Sequence, residues 1–472
     1  MEGVMASDVG QDYISDSGDR YTQPTNAVEE PPKGFLKAVR YLGPSVIVTS
    51  TIVGSGEVIL TASLGAAVGY GMLWWILLSC WSKSIVQAEL TRYIILSGDT
   101  YIRALNRTPG KVKLYKDYKV SWPVILVFLS FFTSISGLGG LIGGATLAIL
   151  LMFPNVDSTL VIACLAGSTM LLLGTGSYKR LESVMLAMVA CFTFITILCF
   201  ILMQGTEYAT TIDQLAGGFK FEFYPEFAFL ALAAYGYTGV NSGEIASYTY
   251  WCIEKGYPAR IGPYQSSSEW VNRARGWLSV LRADVWVTLL ILTLATIPFY
   301  FLGAGVLHAT GQAPTGQETI RALSGMYTET LGSWSLWVFA LGAFFILYSS
   351  TVSAVAAQSR VLPDYFIEFG FLSRDRVDRR KQITKWWIFL APIAGFFIAV
   401  FIQRPVLLVS ITACVFALML PIQTWVTLYL QKKRLPKDIQ PKKSTAYFLK
   451  FTLLLQCVMA YLVLYYVVFK IS

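Results

Sequence analysis

Charge and histidine are scarce in this chain. Asp, Glu, Lys and Arg make up 14% of its 472 residues, and His308 is its one histidine. Soluble domains carry roughly 25% charged residues, so a soluble enzyme or a nucleic-acid-binding module is excluded as the broad class. A single histidine leaves no basis for a His-based metal site or proton relay. The seven cysteines (Cys80, Cys164, Cys191, Cys199, Cys252, Cys414 and Cys457) show no Cys-x-x-Cys spacing. They lie in or at the edges of apolar runs and act there as small hydrophobes, which excludes a zinc or redox motif. The short alternating segments of a membrane barrel are also missing, and no cleavable signal peptide is visible. The first 34 residues are polar, acidic and rich in Gly, Ser and Pro, so residues 1–34 are expected to be a disordered cytoplasmic tail.

What the chain has is apolar length: 55% of it is hydrophobic. Taking about 20 residues per crossing, eleven helical spans are predicted at roughly 42–66, 70–97, 121–150, 158–175, 180–204, 226–252, 283–306, 332–362, 386–403, 405–430 and 446–469. The class is an all-α polytopic membrane protein whose first partner is the lipid bilayer. The net charge of +9 comes from Lys and Arg gathered in loops 98–120, 253–282, 363–385 and 431–445. Loop 205–225 has only Lys220, and loop 307–331 only Arg321. Alternating spans place every basic loop on one side. This predicts a multi-pass protein of the cell (plasma) membrane with its N-terminus cytoplasmic and its C-terminus outside, and no nucleic-acid partner. Nothing in the sequence sets an oligomeric state.

Two tetrapeptides stand out, Gly54-Ser-Gly-Glu57 in span 1 and Asn241-Ser-Gly-Glu244 in span 6. Each puts helix-weakening glycine and a carboxylate inside an apolar run. Ser55 and Ser242 are positioned to cap a restarted helix, with Glu57 and Glu244 in its first turn. Thr238 and Asn241 add polar oxygens beside the second break. Paired interruptions at the leading spans of two five-span units indicate an inverted 5+5 repeat, with spans 1 and 6 discontinuous and the substrate between them. The transport core is placed at 35–430 (35–204 as the first repeat, 226–430 as the inverted second), with 446–469 an extra helix. Each Glu has three open roles: binding a cation, binding a proton, or locking the broken helix.

Other polar positions have plainer readings. Ser134, Ser136 and Gly137 to Gly144 in span 3, and Tyr348 to Ser353 in span 8, read as close helix packing; for span 8 the alternative is a polar wall of the transport path. Ser410, Thr412, Gln423 and Thr424 offer polar groups in span 10, where Pro421 predicts a kink. Glu89 is expected to pair with Arg92, and Glu182 with Lys179 or Arg180. Lys83 is expected to snorkel or to pair with Glu89.

Several of these stretches resemble the Nramp family of divalent-metal transporters: Gly43-Pro44, Leu64 to Trp75, Gln87-Ala-Glu-Leu-Thr-Arg92, Arg180-Leu-Glu182, Ser349-Ser-Thr351, Leu418-Met-Leu-Pro421 and the Leu435-Pro436 pair. The resemblance covers about residues 34–440 and implies a LeuT-type fold. Where family members carry Asp-Pro-Gly-Asn, this chain has Gly54-Ser-Gly-Glu57. Where they carry Met-Pro-His-Asn, it has Asn241-Ser-Gly-Glu244. The family's thioether and histidine are therefore replaced, and span 3 holds no carboxylate between Ser121 and Pro154. Oxygen-only sites suit Mg2+, Ca2+ or Mn2+.

The leading expectation is a non-enzymatic secondary transporter of a small inorganic ion, a hard divalent cation such as Mg2+ or Mn2+, using alternating access. Substrate contacts are expected from Gly54, Ser55, Glu57, Thr238, Asn241, Ser242 and Glu244, with Glu57, Glu244 and Asn241 as metal ligands and no resident cofactor. The alternative is a transporter of a small anion such as bicarbonate or a carboxylate solute on the same fold, favoured by helix N-termini and serine hydroxyls. A non-transporting sensor ranks last, because the polar tail is too short for a signalling domain.

Overall fold

Apolar runs free of internal breaks form single long helices in the computed structural model. It describes residues 28–32, 56–115, 118–175, 178–312 and 318–469, with isolated positions 21, 34, 38, 41, 42 and 44. Span 2 is Leu73–Ser97, ended by Gly98 in the left-handed region. Span 3 is Trp122–Met152, opened by Pro123 in its first turn. Its 31 residues rise about 46 Å, more than a bilayer core requires. Spans 4 and 5 are Ser158–Gly174 and Tyr178–Met203, spans 8 and 9 Ser335–Glu368 and Val377–Ile402, and spans 10 and 11 Pro405–Arg434 and Lys443–Phe469.

Span 7 begins at Ser268 instead of near residue 283 and runs to Leu302. The Ser267 hydroxyl accepts a hydrogen bond from the Trp270 amide, capping a helix that extends beyond the apolar run. The basic loop after span 2 holds an antiparallel hairpin, Lys111–Tyr115 with Tyr118–Ser121, in which Lys111 pairs with Ser121 and Val112 with Val120. Two of the opposite loops carry short helices, Ile212–Gly217 and Thr319–Leu331. Within the segment read as a tail, Glu29 pairs with Arg260 at 2.9 Å, and its carbonyl accepts from the Trp277 indole. The Lys179, Arg180 and Glu182 side chains lie outside the described residues.

Span 3 packs against spans 8, 9 and 10, and its Gly137, Gly139 and Gly140 meet side chains of spans 9 and 10 directly, as close packing requires. On the basic-loop side, ionic clasps tie the helix ends together. Glu254 meets Arg360 at 2.7 Å, and Asp364 meets Arg380 at 2.6 Å. Asp99, just past span 2, is buried and accepts from Arg107, Arg103 and the Tyr93 hydroxyl. Burial alone would raise its carboxyl, but these donors, Arg107 first, hold it below the ordinary aspartate value.

The Asp99 clasp makes a signed prediction. A depressed carboxylate stabilises the fold above its unfolded value near 3.8, and that stabilisation is lost only as pH falls through the still lower folded value. The clasp therefore holds unchanged between about pH 5 and 8. Asp99→Asn should cost about 1.5–3 kcal/mol, read as a lower thermal midpoint in detergent. The loss should be as large at pH 8 as at pH 5.5; a deficit confined to one of these would refute the assignment.

Candidate functional site at the break of span 6

Span 6 does not cross as one helix. A first half, Ala228–Tyr237, stops, and a second half, Ser242–Glu254, restarts after four extended or turning residues. Gly239 carries φ +71°, a conformation that L side chains rarely adopt. A Cβ on Gly236 would fall 1.9 Å from the Ala413 carbonyl oxygen, so only glycine lets this half-helix lie on span 10. At the restart, Asn241 Oδ1 accepts from the Glu244 amide at 3.0 Å, and Glu244 Oε2 accepts from the Asn241 amide at 2.9 Å. This reciprocal capping box satisfies two N–H groups that a helix start leaves open.

The carbonyls freed at the end of the first half need donors, since unpaired backbone groups at membrane depth are costly. They find them on span 2. Lys83 is completely buried, and its Nζ donates to the Tyr235 carbonyl at 2.7 Å and the Thr238 carbonyl at 2.5 Å. The Ser79 hydroxyl, one turn earlier, lies 3.0 and 2.9 Å from the same two oxygens. Lys83 therefore neither snorkels nor pairs with Glu89. Its ammonium is held at depth by the break itself, and Glu89 takes Arg92 in a two-point pair at 2.8 and 3.1 Å. The Glu57 and Glu244 carboxylates lie within electrostatic range of the Lys83 ammonium, which offsets the cost of burying it.

Span 1 is described from Gly56, where a π-helical turn, Gly56–Thr61, leads into Ala62–Val68. Gly54 and Ser55 lie outside the described residues. Glu57 is buried, and its Oε1 accepts from the Gly239 amide at 3.2 Å and the Thr296 hydroxyl at 3.3 Å. Thr61 and Thr238 join their hydroxyls at 2.8 Å. Glu57 and Thr238 thus knit span 1 to the extended part of span 6.

A cavity of about 130 Å³ lies on the basic-loop side of the break, between the second half-helix and spans 3, 8 and 10. Its wall runs from Asn241, Ser242 and Glu244 toward Trp251, Tyr101 and Tyr365. Among the described residues Glu244 is the only acidic or basic side chain on it; neither Glu57 nor Lys83 reaches it. Ser134, Ser350 and Ser353 face it from spans 3 and 8, and Thr412, Met419 and Gln423 from span 10. Gln423 is fixed by its amide nitrogen, which donates to the Ser242 carbonyl at 2.8 Å and the Tyr101 hydroxyl at 2.7 Å, while its Oε1 has no hydrogen-bond partner among the described residues. Among the described residues no group of three or more His, Cys, Asp or Glu is placed to hold a metal. Of the sequence-predicted residues, Asn241, Ser242 and Glu244 share this wall and Glu57 and Thr238 do not. Sequence reasoning missed the role of Lys83. The signal was present: Ser79, Lys83 and Gln87 recur every four residues, a polar stripe along an otherwise apolar helix.

Lys83→Met should therefore orphan backbone oxygens at the break. The Ser79 hydroxyl has one proton and serves one carbonyl at a time. The other loses its donor, at a cost of about 1–3 kcal/mol. The thermal midpoint in detergent should fall, and Ser79→Ala added to it should cost more still. An unchanged midpoint in the double variant would show that the break does not depend on these donors.

Comparison with known proteins places this geometry. A family model described as natural resistance-associated macrophage protein-like matches residues 45–467. An uncharacterised protein of Pasteurella multocida is 25% identical over 336 residues, covering 68% of this chain and 69% of that one. The solved structure of an Eremococcus coleocola manganese transporter mutant superposes with a TM-score of 0.64 at 15% identity, covering 93% of this chain and 89% of the other. Mhp1, a nucleobase-cation-symport-1 family transporter, superposes with a TM-score of 0.55 at 13% identity over 96% and 93% of the two chains. MhsT in complex with L-phenylalanine does so with a TM-score of 0.54 at 12% identity over 92% and 98%. These likenesses show a LeuT-type fold.

Proposed function

We propose, on the premise that the chain belongs to the Nramp family and is a multi-pass membrane transporter rather than an enzyme, that it carries a hard divalent cation, Mg2+ or Mn2+, through the cavity beside the span 6 break. The observation that carries this reading is the cavity wall. Among the described residues its one ionisable acid is Glu244, Gln423 contributes an Oε1 acceptor without a hydrogen-bond partner, and no Lys, Arg or His lines it. Carboxylate, amide and hydroxyl oxygens are the donor set of a hard cation. Asn241 and Ser242 complete the contacts nearest the break. Glu57, engaged by Gly239 and Thr296, serves as a lock between spans 1 and 6, so the metal set narrows to Glu244 with Asn241.

The basic loops are cytoplasmic in this reading, and the cavity is the inward-facing half of an alternating-access cycle between the repeats 35–204 and 226–430. Carbonyls at a helix break are where discontinuous-helix transporters hold a coupling cation. Here the Lys83 ammonium sits on them, which favours transport that needs no sodium.

A second reading, a small anion such as bicarbonate, rests on Lys83 and the half-helix N-terminus at Ser242. It accounts less well for a wall whose charge is negative.

Uptake of Mn2+ and Mg2+ into proteoliposomes tests the cation reading. Glu244→Gln should raise the apparent KM at least about tenfold, a loss of about 1.4 kcal/mol, and Gln423→Leu should raise it by a smaller factor. Glu57→Gln should lower the thermal midpoint with the KM nearly unchanged. Absence of divalent flux, or parent-like behaviour of Glu244→Gln, would sink the reading, and bicarbonate flux in the same vesicles would install the second. Replacing sodium by choline should leave divalent uptake within about twofold; abolition of uptake would overturn the role given to Lys83.

A further inference from the structure

A second, larger opening lies away from the transport cavity, on the outer flank of spans 2 and 7. It is a cleft of about 740 Å³ between these spans, the segment 438–442 and the start of span 11. We propose that it binds an anionic glycerophospholipid of the basic-side leaflet.

Both helical walls grade from charge to apolar in the same direction. On span 2 the cleft runs from Arg92 and Glu89 through Ala88 and Ile85 to Trp81, a rise of about 16 Å. On span 7 it runs from Arg275 and Arg282 through Val285 and Trp286 to Leu289, with the last seven residues rising about 10 Å. The spans are antiparallel, so their cationic ends meet at one level and their apolar ends at another. Lys442 stands at the cationic end of the third wall and Phe448 farther along it.

The cationic end carries surplus positive charge. Arg92 is committed to Glu89. Arg275 donates to the Asp438 main-chain oxygen at 3.0 Å and makes no ion pair among the described residues. Arg282 and Lys442 are exposed and make no ion pair among the described residues. Three cations thus face one further carboxylate, Asp438. At the other end, Trp81, Trp286 and Phe448 are 54%, 64% and 49% exposed. A free phosphate would use only the cationic end. An amphiphile whose phosphate reaches Arg275, Arg282 and Lys442 while its acyl chain lies on Trp81 and Trp286 uses both. Basic pockets between membrane helices are suited to such headgroups, and exposed Trp to the interface beside them.

The test uses the full chain in detergent, titrated with phosphatidylglycerol, phosphatidylcholine of matched chains, or glycerol 3-phosphate. Phosphatidylglycerol should raise the thermal midpoint by several degrees and remain as a resolved adduct in native mass spectrometry. The other two should do neither. Arg282→Gln with Lys442→Gln, both at exposed positions, should abolish the difference between the two lipids while the protein without added lipid keeps its midpoint. Phosphatidylglycerol brominated along its chain should quench tryptophan fluorescence more in the parent than in Trp81→Phe with Trp286→Phe. Equal stabilisation by both lipids would reduce the cleft to a non-selective apolar groove. An equal effect of glycerol 3-phosphate would make it a phosphate site, and no effect of any ligand would leave no site. Each of these three results overturns the proposal. All readouts concern the lipid cleft, so failure of divalent transport would not decide it.

Discussion

The molecule depends on how carbonyl groups released by a broken helix are satisfied where there is no bulk water. A helix that stops at Tyr237 leaves oxygens with no intrahelical donor, and hydrocarbon offers none. Here the donors are a lysine and a serine one turn apart on span 2. This contact fixes the depth of span 2 against span 6. It also sets the Lys83 ammonium within electrostatic range of Glu57 and Glu244. Breaking the helix and burying Lys83 are each expensive alone, and the hydrogen bonds between the ammonium and the freed carbonyls offset part of both costs.

The two acidic residues, alike in sequence, have come to differ in circumstance. Glu57 is buried and spends Oε1 on the Gly239 amide and the Thr296 hydroxyl, holding the extended segment against spans 1 and 7. Glu244 caps its own half-helix with Oε2 and lies on the cavity wall. Each begins as a first-turn carboxylate, where the helix dipole favours negative charge. The difference comes from the neighbours: span 7 closes over one, and a cavity between four helices opens beside the other.

Much of the architecture was legible because membrane spanning is read from run length. The helices of spans 2, 3, 10 and 11 fall close to their predicted positions, and the second break falls among Gly236, Gly239 and Gly243, but its cap is Asn241 and not the expected Ser242, because the longer amide side chain reaches the Glu244 amide while Ser242 is already the first helical residue. Span 7 was misjudged at its start because hydropathy marks the membrane-embedded part of a helix, whereas Ser267 caps the helix itself well outside it. The destination of Lys83 was hidden for another reason. Local spacing offered Glu89 six residues away, but the deciding partners lie more than 150 residues along the chain. Backbone carbonyls freed by a distant break leave no mark in the neighbourhood of the residue that satisfies them.

The chemistry left on the cavity wall bears on the family to which the chain belongs. Where the resembling motifs carry an aspartate and a methionine, this chain has Gly54 and Asn241. Asn241 Oδ1 already accepts the Glu244 amide in the capping box, so only its second lone pair is open to a cation and it does not simply replace a soft ligand with a hard one. The wall still holds a thioether, Met419, but on span 10, beside Phe416 and Gln423. A soft metal would need that sulfur and more than one charged ligand close together, and the described residues assemble no such cluster. A strongly hydrated cation has a different requirement. It is held by scattered oxygens and retained water, with one carboxylate to favour its charge. Among the described residues the wall offers one carboxylate, one amide oxygen without a partner and several hydroxyls, the oxygen donors that the proposed hydrated cation would use and that a soft ion does not favour.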